Sequence, residues 1–192
     1  MTGDRGPARV LVVCTGNVCR SPAAELLLRA GLPDGAGIAV HSAGLAARVG
    51  EPVAEPTARL LRARGVEPEG FAARQLTPVL LREADLVLTM TAEQRTGVVR
   101  RVPAVLRRTF TLREFADLAT LAGPGAGPGR AAERLADLVR AAPRGRSARA
   151  AGPEHDDVAD PYRRPDDAHA RALGRIEDAA GRLLATLLDR PV

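Results

Sequence analysis

The run Arg9 to Cys14 (RVLVVC) and the loop that follows it constrain this chain more than any other stretch. The run is short, apolar and rich in β-branched residues, so it reads as a buried strand. It leads directly into Cys14-Thr15-Gly16-Asn17-Val18-Cys19-Arg20-Ser21-Pro22. Gly16 and Asn17 are residue types that tolerate left-handed backbone angles, so the chain can curl there. Ser21 is a favourable N-cap, Pro22 suits the start of a helix, and Glu25 falls near its positive end. Leu26, Leu27 and Ala30 supply a buried face. A strand that turns sharply into a helix is the first half of a βαβ unit.

The rest of the chain repeats that alternation. Ile38 to Ala43 reads as a second strand, Asp85 to Met90 as a third and Arg108 to Thr111 as a weaker fourth. Helices are expected over Pro56 to Arg64, from Thr77-Pro78, over Ala92 to Arg101, and from Thr111 to about Leu121. The last of these opens on Thr111-x-x-Glu114, a capping box. Asp166 to Asp189 is the clearest helix: Leu173, Ile176, Ala180, Leu183, Leu184 and Leu187 form one apolar stripe, which reads as core packing. The pattern predicts an α/β fold with a mainly parallel sheet covered on both faces. We expect one domain over 1–192, interrupted at about 119–154 by a Gly/Pro/Arg-rich insertion. That insertion is expected to hold one helix over Ala131 to Ala141, with flexible flanks at 123–129 and 143–152.

Composition excludes several classes of protein. All 28 basic residues are arginine, and the net charge is +5. The insertion carries six arginines against Glu133, Asp137 and Glu154, or +3 of that total. Phe71, Phe110, Phe115 and Tyr162 are the whole aromatic set, which argues against a nucleic-acid partner that stacks bases on rings. No apolar run approaches the ~20 residues of a membrane span, and the N-terminus lacks the apolar core of a signal peptide. A cytoplasmic protein is expected. Its two cysteines, Cys14 and Cys19, exclude a disulfide scaffold. A zinc site is disfavoured, because there is no second cysteine pair and His41, His155 and His169 lack ligand spacing.

The chemistry concentrates in Cys14 to Ser21. Backbone N–H groups of a tight strand-to-helix loop converge and join the positive helix end, which makes an anion site from Thr15, Gly16, Asn17, Val18, Cys19, Arg20 and Ser21. Arg20 can offer a planar fork to two phosphate oxygens. Cys14 then stands in electropositive surroundings of the kind that supply a reactive thiolate, and Ser21 can donate to it. A phosphate ester also needs a proton for its leaving oxygen. Asp160-Pro161-Tyr162 follows Asp156-Asp157, whose mutual repulsion would keep a carboxyl partly protonated.

The segment V-C-T-G-N-V-C-R-S-P at 13–22 resembles the signature of the low-molecular-weight protein tyrosine phosphatase family. The likeness continues through Ser42-Ala43-Gly44, Val49-Gly50, Ala73 to Thr77, Leu86 to Met90 and Asp160-Pro161-Tyr162. It implies a three-layer α/β/α fold with a four-stranded parallel sheet, no metal and no organic cofactor. It implies that Cys14 becomes a phosphocysteine, that Arg20 clamps the phosphoryl group, and that Asp160 first protonates the leaving group and then activates water. Asn17, Ser21 and Ser42 would support the loop. Cys19 would match a second loop cysteine able to pair reversibly with Cys14, or simply pack. The partners implied are a phosphorylated protein and inorganic phosphate or another oxyanion.

The departures from the family pattern bear on substrate. Leu45-Ala46-Ala47-Arg48 lacks the aromatic that usually flanks the substrate ring, so the expected wall is Tyr162, Ala47 and Arg48. Arg163 replaces a second aromatic, Thr91 an aspartate and Phe71 a histidine. Val18 stands where relatives acting on phosphoarginine tend to carry threonine, which favours phosphotyrosine. The alternatives are an arsenate reductase using an external small thiol, a protein arginine phosphatase, and, in a different class, a non-catalytic phosphoprotein-binding module.

Overall fold

In the computed structural model, residues 6–123, 131–149 and 152–189 are described. The buried run becomes β1 (Ala8–Cys14), paired in parallel with β2 (Ile38–Gly44) on one side and β3 (Leu86–Thr89) on the other. A short β4 (Thr109–Thr111) joins β3, giving the order β2-β1-β3-β4. Side chains of β1 alternate between two cores, as strand geometry requires. Val10 and Val12 pack with Leu86, Leu88, Phe110 and the apolar stripe of the last helix. Leu11 and Val13 point the other way, onto Leu81, Val87, Val98 and Val102. The fold is α/β, with helices on both faces of a parallel sheet, as the pattern predicts.

The helices are α1 (Arg20–Gly31), α2 (Glu55–Arg62), α3 (Pro78–Glu83), α4 (Ala92–Arg101), α5 (Leu112–Ala122), α6 (Ala131–Gly145), α7 (Pro153–Asp156) and α8 (Asp166–Leu188). Thr77 and Thr91 cap α3 and α4 through their side chains, and Thr111 with Glu114 forms the predicted capping box on α5. At α1 the expectation fails. The N-cap position is Cys19, with no side-chain capping bond, and Ser21 lies inside the first turn. Its hydroxyl is taken by the loop instead, so tertiary hydrogen bonds override the local cap.

Because β1 is central and its two neighbours are reached by crossovers in opposite directions, its C-terminal end is the switch point of the sheet. In open α/β sheets that is where ligands bind. Cys14 ends β1 at that point. The chain closes tightly around it: Leu45 N–H donates to Cys14 O and Ala46 N–H to Thr15 O, both at 2.9 Å. A Cβ on Gly44 would stand 2.6 Å from Thr15 O and 2.9 Å from Ala47 Cα. Only glycine lets β2 hand over to the loop so closely.

The segment expected to be an insertion differs from its sequence reading. Residues 119–122 belong to α5, and α6 continues through Pro143 to Gly145. Residues 124–130, most of the expected glycine-rich flank, lie outside the described residues. The C-terminal flank is tied down as far as Arg149. Arg146 Nε donates to Glu114 Oε1 at 2.8 Å, and Glu114 Oε2 also holds Arg95 at 2.9 Å. Arg149 donates to Asp117 Oδ2 from Nε at 3.2 Å and to Asp156 Oδ2 from Nη1 at 3.0 Å. Asp117 receives Arg182 of α8 as well, at 2.6 Å. Burial alone would push Glu114 and Asp117 up, but the surrounding guanidiniums outweigh it and hold both carboxyls below the usual range.

A carboxyl whose folded pKa lies below its unfolded value stabilises the fold above the ordinary carboxylate range, and that contribution is lost as pH falls. The unfolding free energy is therefore expected to decline on acidification below about pH 4. Arg149→Ala should flatten that acid limb in denaturant titrations at pH 7 and pH 3. An acid limb identical to that of the parent would show that these pairs contribute nothing to stability.

Candidate active site

The loop between β1 and α1 is held by one residue. Asn17 has φ 56°, in the left-handed region that asparagine enters more readily than most side chains. Its side chain is fully buried. The Arg74 backbone N–H, which can only donate, points at Asn17 Oδ1 at 2.8 Å and so fixes which way the amide faces. Nδ2 must then donate to Ser21 Oγ at 2.9 Å and to Ser42 Oγ at 2.8 Å. Ser42 passes its own proton to the buried carboxylate of Glu25 at 2.6 Å. Ser21 Oγ, already accepting from Asn17, lies 2.9 Å from Cys14 Sγ, and its hydroxyl donates there when the sulfur is a thiolate. The Asn17 N–H donates to the same sulfur at 3.2 Å. The hydrogen bonds from Arg74 through Asn17 to the two serines thus have one direction, and a Cys14 thiolate would accept from both Ser21 and the Asn17 N–H.

At the other end of the loop Arg20 has a side chain only 5 % exposed. Its Nη1 donates to Val158 O at 3.0 Å and its Nη2 pairs with Asp160 Oδ2 at 2.7 Å. The loop carrying Asp160 is docked on the sheet, because Val158 N–H donates to Met90 O and Ala92 N–H to Asp157 Oδ1, both at 2.8 Å. Arg20, at the end of the loop that Cys14 begins, is therefore paired with Asp160 from that docked loop. Asp156 and Asp157 have partners of their own: the first is paired with Arg149 and the second accepts from Ala92. Asp160 faces the Arg20 guanidinium instead, and accepts Tyr162 N–H at 3.1 Å.

Arg48 and Tyr162 of the expected wall do come together, the guanidinium carbon lying 5.2 Å from the ring centroid. Ala47 packs against Gly44, and its N–H donates to Gln75. Arg163 covers the same ring at 5.3 Å and has φ 58°. A side chain other than Gly or Asn in that region costs about 1–2 kcal/mol. Val18 and Cys19 are buried with Ala73, with Phe71 and Tyr162 packed against them. Burial, reinforced by the nearby Cys14 sulfur, pushes the Cys19 thiol up to about 12.

Several supporting residues carry no sequence signal of their own. Glu25, read only as a helix-end charge, accepts the Ser42 hydroxyl at the far end of the hydrogen-bond chain. Gln94 holds Thr15 Oγ1 at 3.1 Å while its carbonyl accepts Met90 N–H. His169, buried on α8, shares a 2.8 Å hydrogen bond with Thr57, and burial lowers its pKa. Asp117, His155 and Asp156 bring three potential metal ligands within 4.8 Å of one another, but the Arg149 guanidinium already serves both carboxylates.

Replacing Asn17 by Asp keeps the shape but turns a double donor into an acceptor facing two oxygens. That should cost about 2–3 kcal/mol, the scale of hydrogen bonds lost and buried polar groups left unpaired. Denaturant unfolding at pH 7 measures it. A loss below about 0.5 kcal/mol, within ordinary surface-mutation noise, would show that Asn17 is not the organising residue.

Residues 9–127 match the family model of low molecular weight phosphotyrosine protein phosphatase. The chain is 31% identical over 171 residues to the low molecular weight protein-tyrosine-phosphatase Etp of Escherichia coli K12, covering 89% of this chain and 88% of that one. Among solved structures it resembles the YwlE arginine phosphatase of Geobacillus stearothermophilus, with TM-score 0.70 and 28% identity over 95% of this chain and 94% of the other. It also resembles the tyrosine phosphatase Wzb of Escherichia coli K30 in complex with sulphate, with TM-score 0.69 and 26% identity over 93% and 97%. With a matching family model over most of its length and a relative aligned nearly end to end, this chain belongs to the low molecular weight protein-tyrosine-phosphatase family.

Proposed function

We propose that the protein hydrolyses phosphotyrosine in protein substrates through a phosphocysteine at Cys14. The observation that carries this reading is one loop with a sulfur in hydrogen-bond reach of Ser21 and the Asn17 N–H at its start and a buried guanidinium paired with the Asp160 carboxylate at its end. A sulfur that accepts from Ser21 and Asn17 is prepared to hold negative charge. The remaining loop N–H groups, from Thr15, Gly16, Val18 and Cys19, together with the start of α1, supply the anion cradle. An arriving phosphoryl group takes over the Arg20 fork, which frees Asp160 to face the leaving oxygen.

Cys14 Sγ attacks phosphorus, forming the S–P bond as the P–O ester bond breaks, and the Asp160 carboxyl gives its proton to the departing phenolate. The Asp160 carboxylate then takes a proton from water as that oxygen attacks phosphorus. The S–P bond breaks, the electron pair returns to sulfur, and inorganic phosphate leaves. No step needs a metal or an organic cofactor. Arg48 and Arg163 beside Tyr162 disfavour a phosphorylated guanidino group, which keeps positive charge on its nitrogens. Arsenate reduction would need an external thiol, since Cys14 and Cys19 are the only cysteines. A non-catalytic binding module would have no use for an acid placed against the clamp.

We take the domain to run over 1–192 with 119–154 inserted, and the setting to be cytoplasmic, in keeping with two free thiols. No helix among the described residues is long and apolar enough to cross a membrane.

The purified protein should hydrolyse aryl phosphates and phosphotyrosine without added thiol. Cys14→Ser is expected to abolish turnover, and Asp160→Asn to lower kcat by about 10²–10⁴ with phosphotyrosine, the contribution of a positioned acid. Undiminished activity in Cys14→Ser would overturn the mechanism. Turnover of arsenate with thiol, but not of aryl phosphate, would reassign the chain to reduction.

A further inference from the structure

Around the mouth of the site, Arg48 and Arg163 both lie over the single ring of Tyr162, at 5.2 Å and 5.3 Å. The stem of Arg48 also runs past Gly16, with Cγ 3.8 Å from where a Cβ would stand, so its guanidinium is placed between the phosphate loop and the ring. Its partner Glu51 sits at 2.6 Å, but both side chains are well exposed, at 39% and 46%. Such pairs are weak and exchange readily with another acid. Among the described residues no carboxylate is ion-paired with Arg163 or with its neighbour Arg164. Asp166 and Asp167, which follow them, are paired with Arg59 and Arg171 instead.

The backbone at Arg163 adds an independent argument. Its φ of 58° is a conformation for which glycine is the inexpensive choice, and Arg164 N–H closes the turn onto Pro161 O at 2.9 Å. A residue there that needed only to turn the chain would not be an arginine. Its side chain returns over Tyr162 and brings a second positive charge to the rim.

We infer that this rim selects phosphotyrosines flanked by acidic side chains. Arg48 would receive a carboxylate on the loop side of the bound ring and Arg163 one on the far side. The inference rests on the phosphatase reading and adds to it a class of peptide. Among the described residues, the carboxylates in ion pairs beside this rim are Asp160 and Glu51. The first is directed at Arg20, and the second is displaceable.

The test compares a peptide with aspartates on both sides of phosphotyrosine, its twin with asparagines, and p-nitrophenyl phosphate. At low salt the aspartate peptide should have kcat/KM on the order of tenfold higher, carried by KM, as expected for two exposed charge pairs. The preference should shrink toward parity at about 1 M salt, where the Debye length is ~3 Å. Arg163→Gln should remove part of the preference, and Arg48→Gln with Arg163→Gln all of it. The readout is the ratio of the two peptides within each variant, so a general loss of rate does not affect it. Equal kcat/KM for the two peptides in the parent, or an undiminished ratio in the double variant, would overturn the inference while p-nitrophenyl phosphate turnover leaves the phosphatase reading standing. Failure to hydrolyse any of the three would instead overturn that reading.

Discussion

The site depends on the orientation of one side-chain amide. An asparagine has two faces, and a backbone N–H from the neighbouring loop decides which one Asn17 presents to the sulfur side. Once Oδ1 is committed to Arg74, both hydrogens of Nδ2 must go to serines. The proton order along Glu25, Ser42, Asn17 and Ser21 follows, and it leaves the Ser21 hydroxyl hydrogen available to a Cys14 thiolate. The left-handed turn at the same residue bends the loop so that its own N–H reaches the sulfur. Backbone shape and hydrogen-bond polarity are set by a single position, which is why the loop does not rely on a conventional helix cap.

Much of the fold was legible in the sequence because hydrophobic period and turn chemistry are local. β1, the capping box on α5 and the apolar stripe of α8 each follow from residues close together in the chain. The candidate site was legible for a different reason: Cys14, Gly16, Asn17, Arg20 and Ser21 lie within a few positions of one another. What could not be read is the partner list. Ser21 looked like a cap because serine before proline usually is one, and the competing hydrogen bond comes from a turn stabilised by Arg74 and Ser42. The surroundings of Asp160 were likewise not local, since nothing nearby in the chain reveals that Arg149 pairs with Asp156 or that Arg20 faces Asp160.

The arginines illustrate the same limit. Sequence counting places an excess of positive charge in 119–154, yet the described arginines at 146 and 149 are spent on Glu114, Asp117 and Asp156. They tie the segment after α6 to α5 and α7 rather than forming a free basic surface. The charge that does reach solvent near the site comes from Arg48 and Arg163, one in the stretch after β2 and the other just beyond the aspartate. Net charge by segment therefore does not say which arginines are paired within the fold.

Arg20 also has a built-in substitute for the anion it would hold. The guanidinium stands 2.7 Å from Asp160. In the proposed mechanism the free energy of that internal pair would offset part of the attraction for phosphate. A clamp backed by its own counter-ion would release product more readily than one without, so tight grip during chemistry and rapid emptying afterwards would be compatible in the same residue.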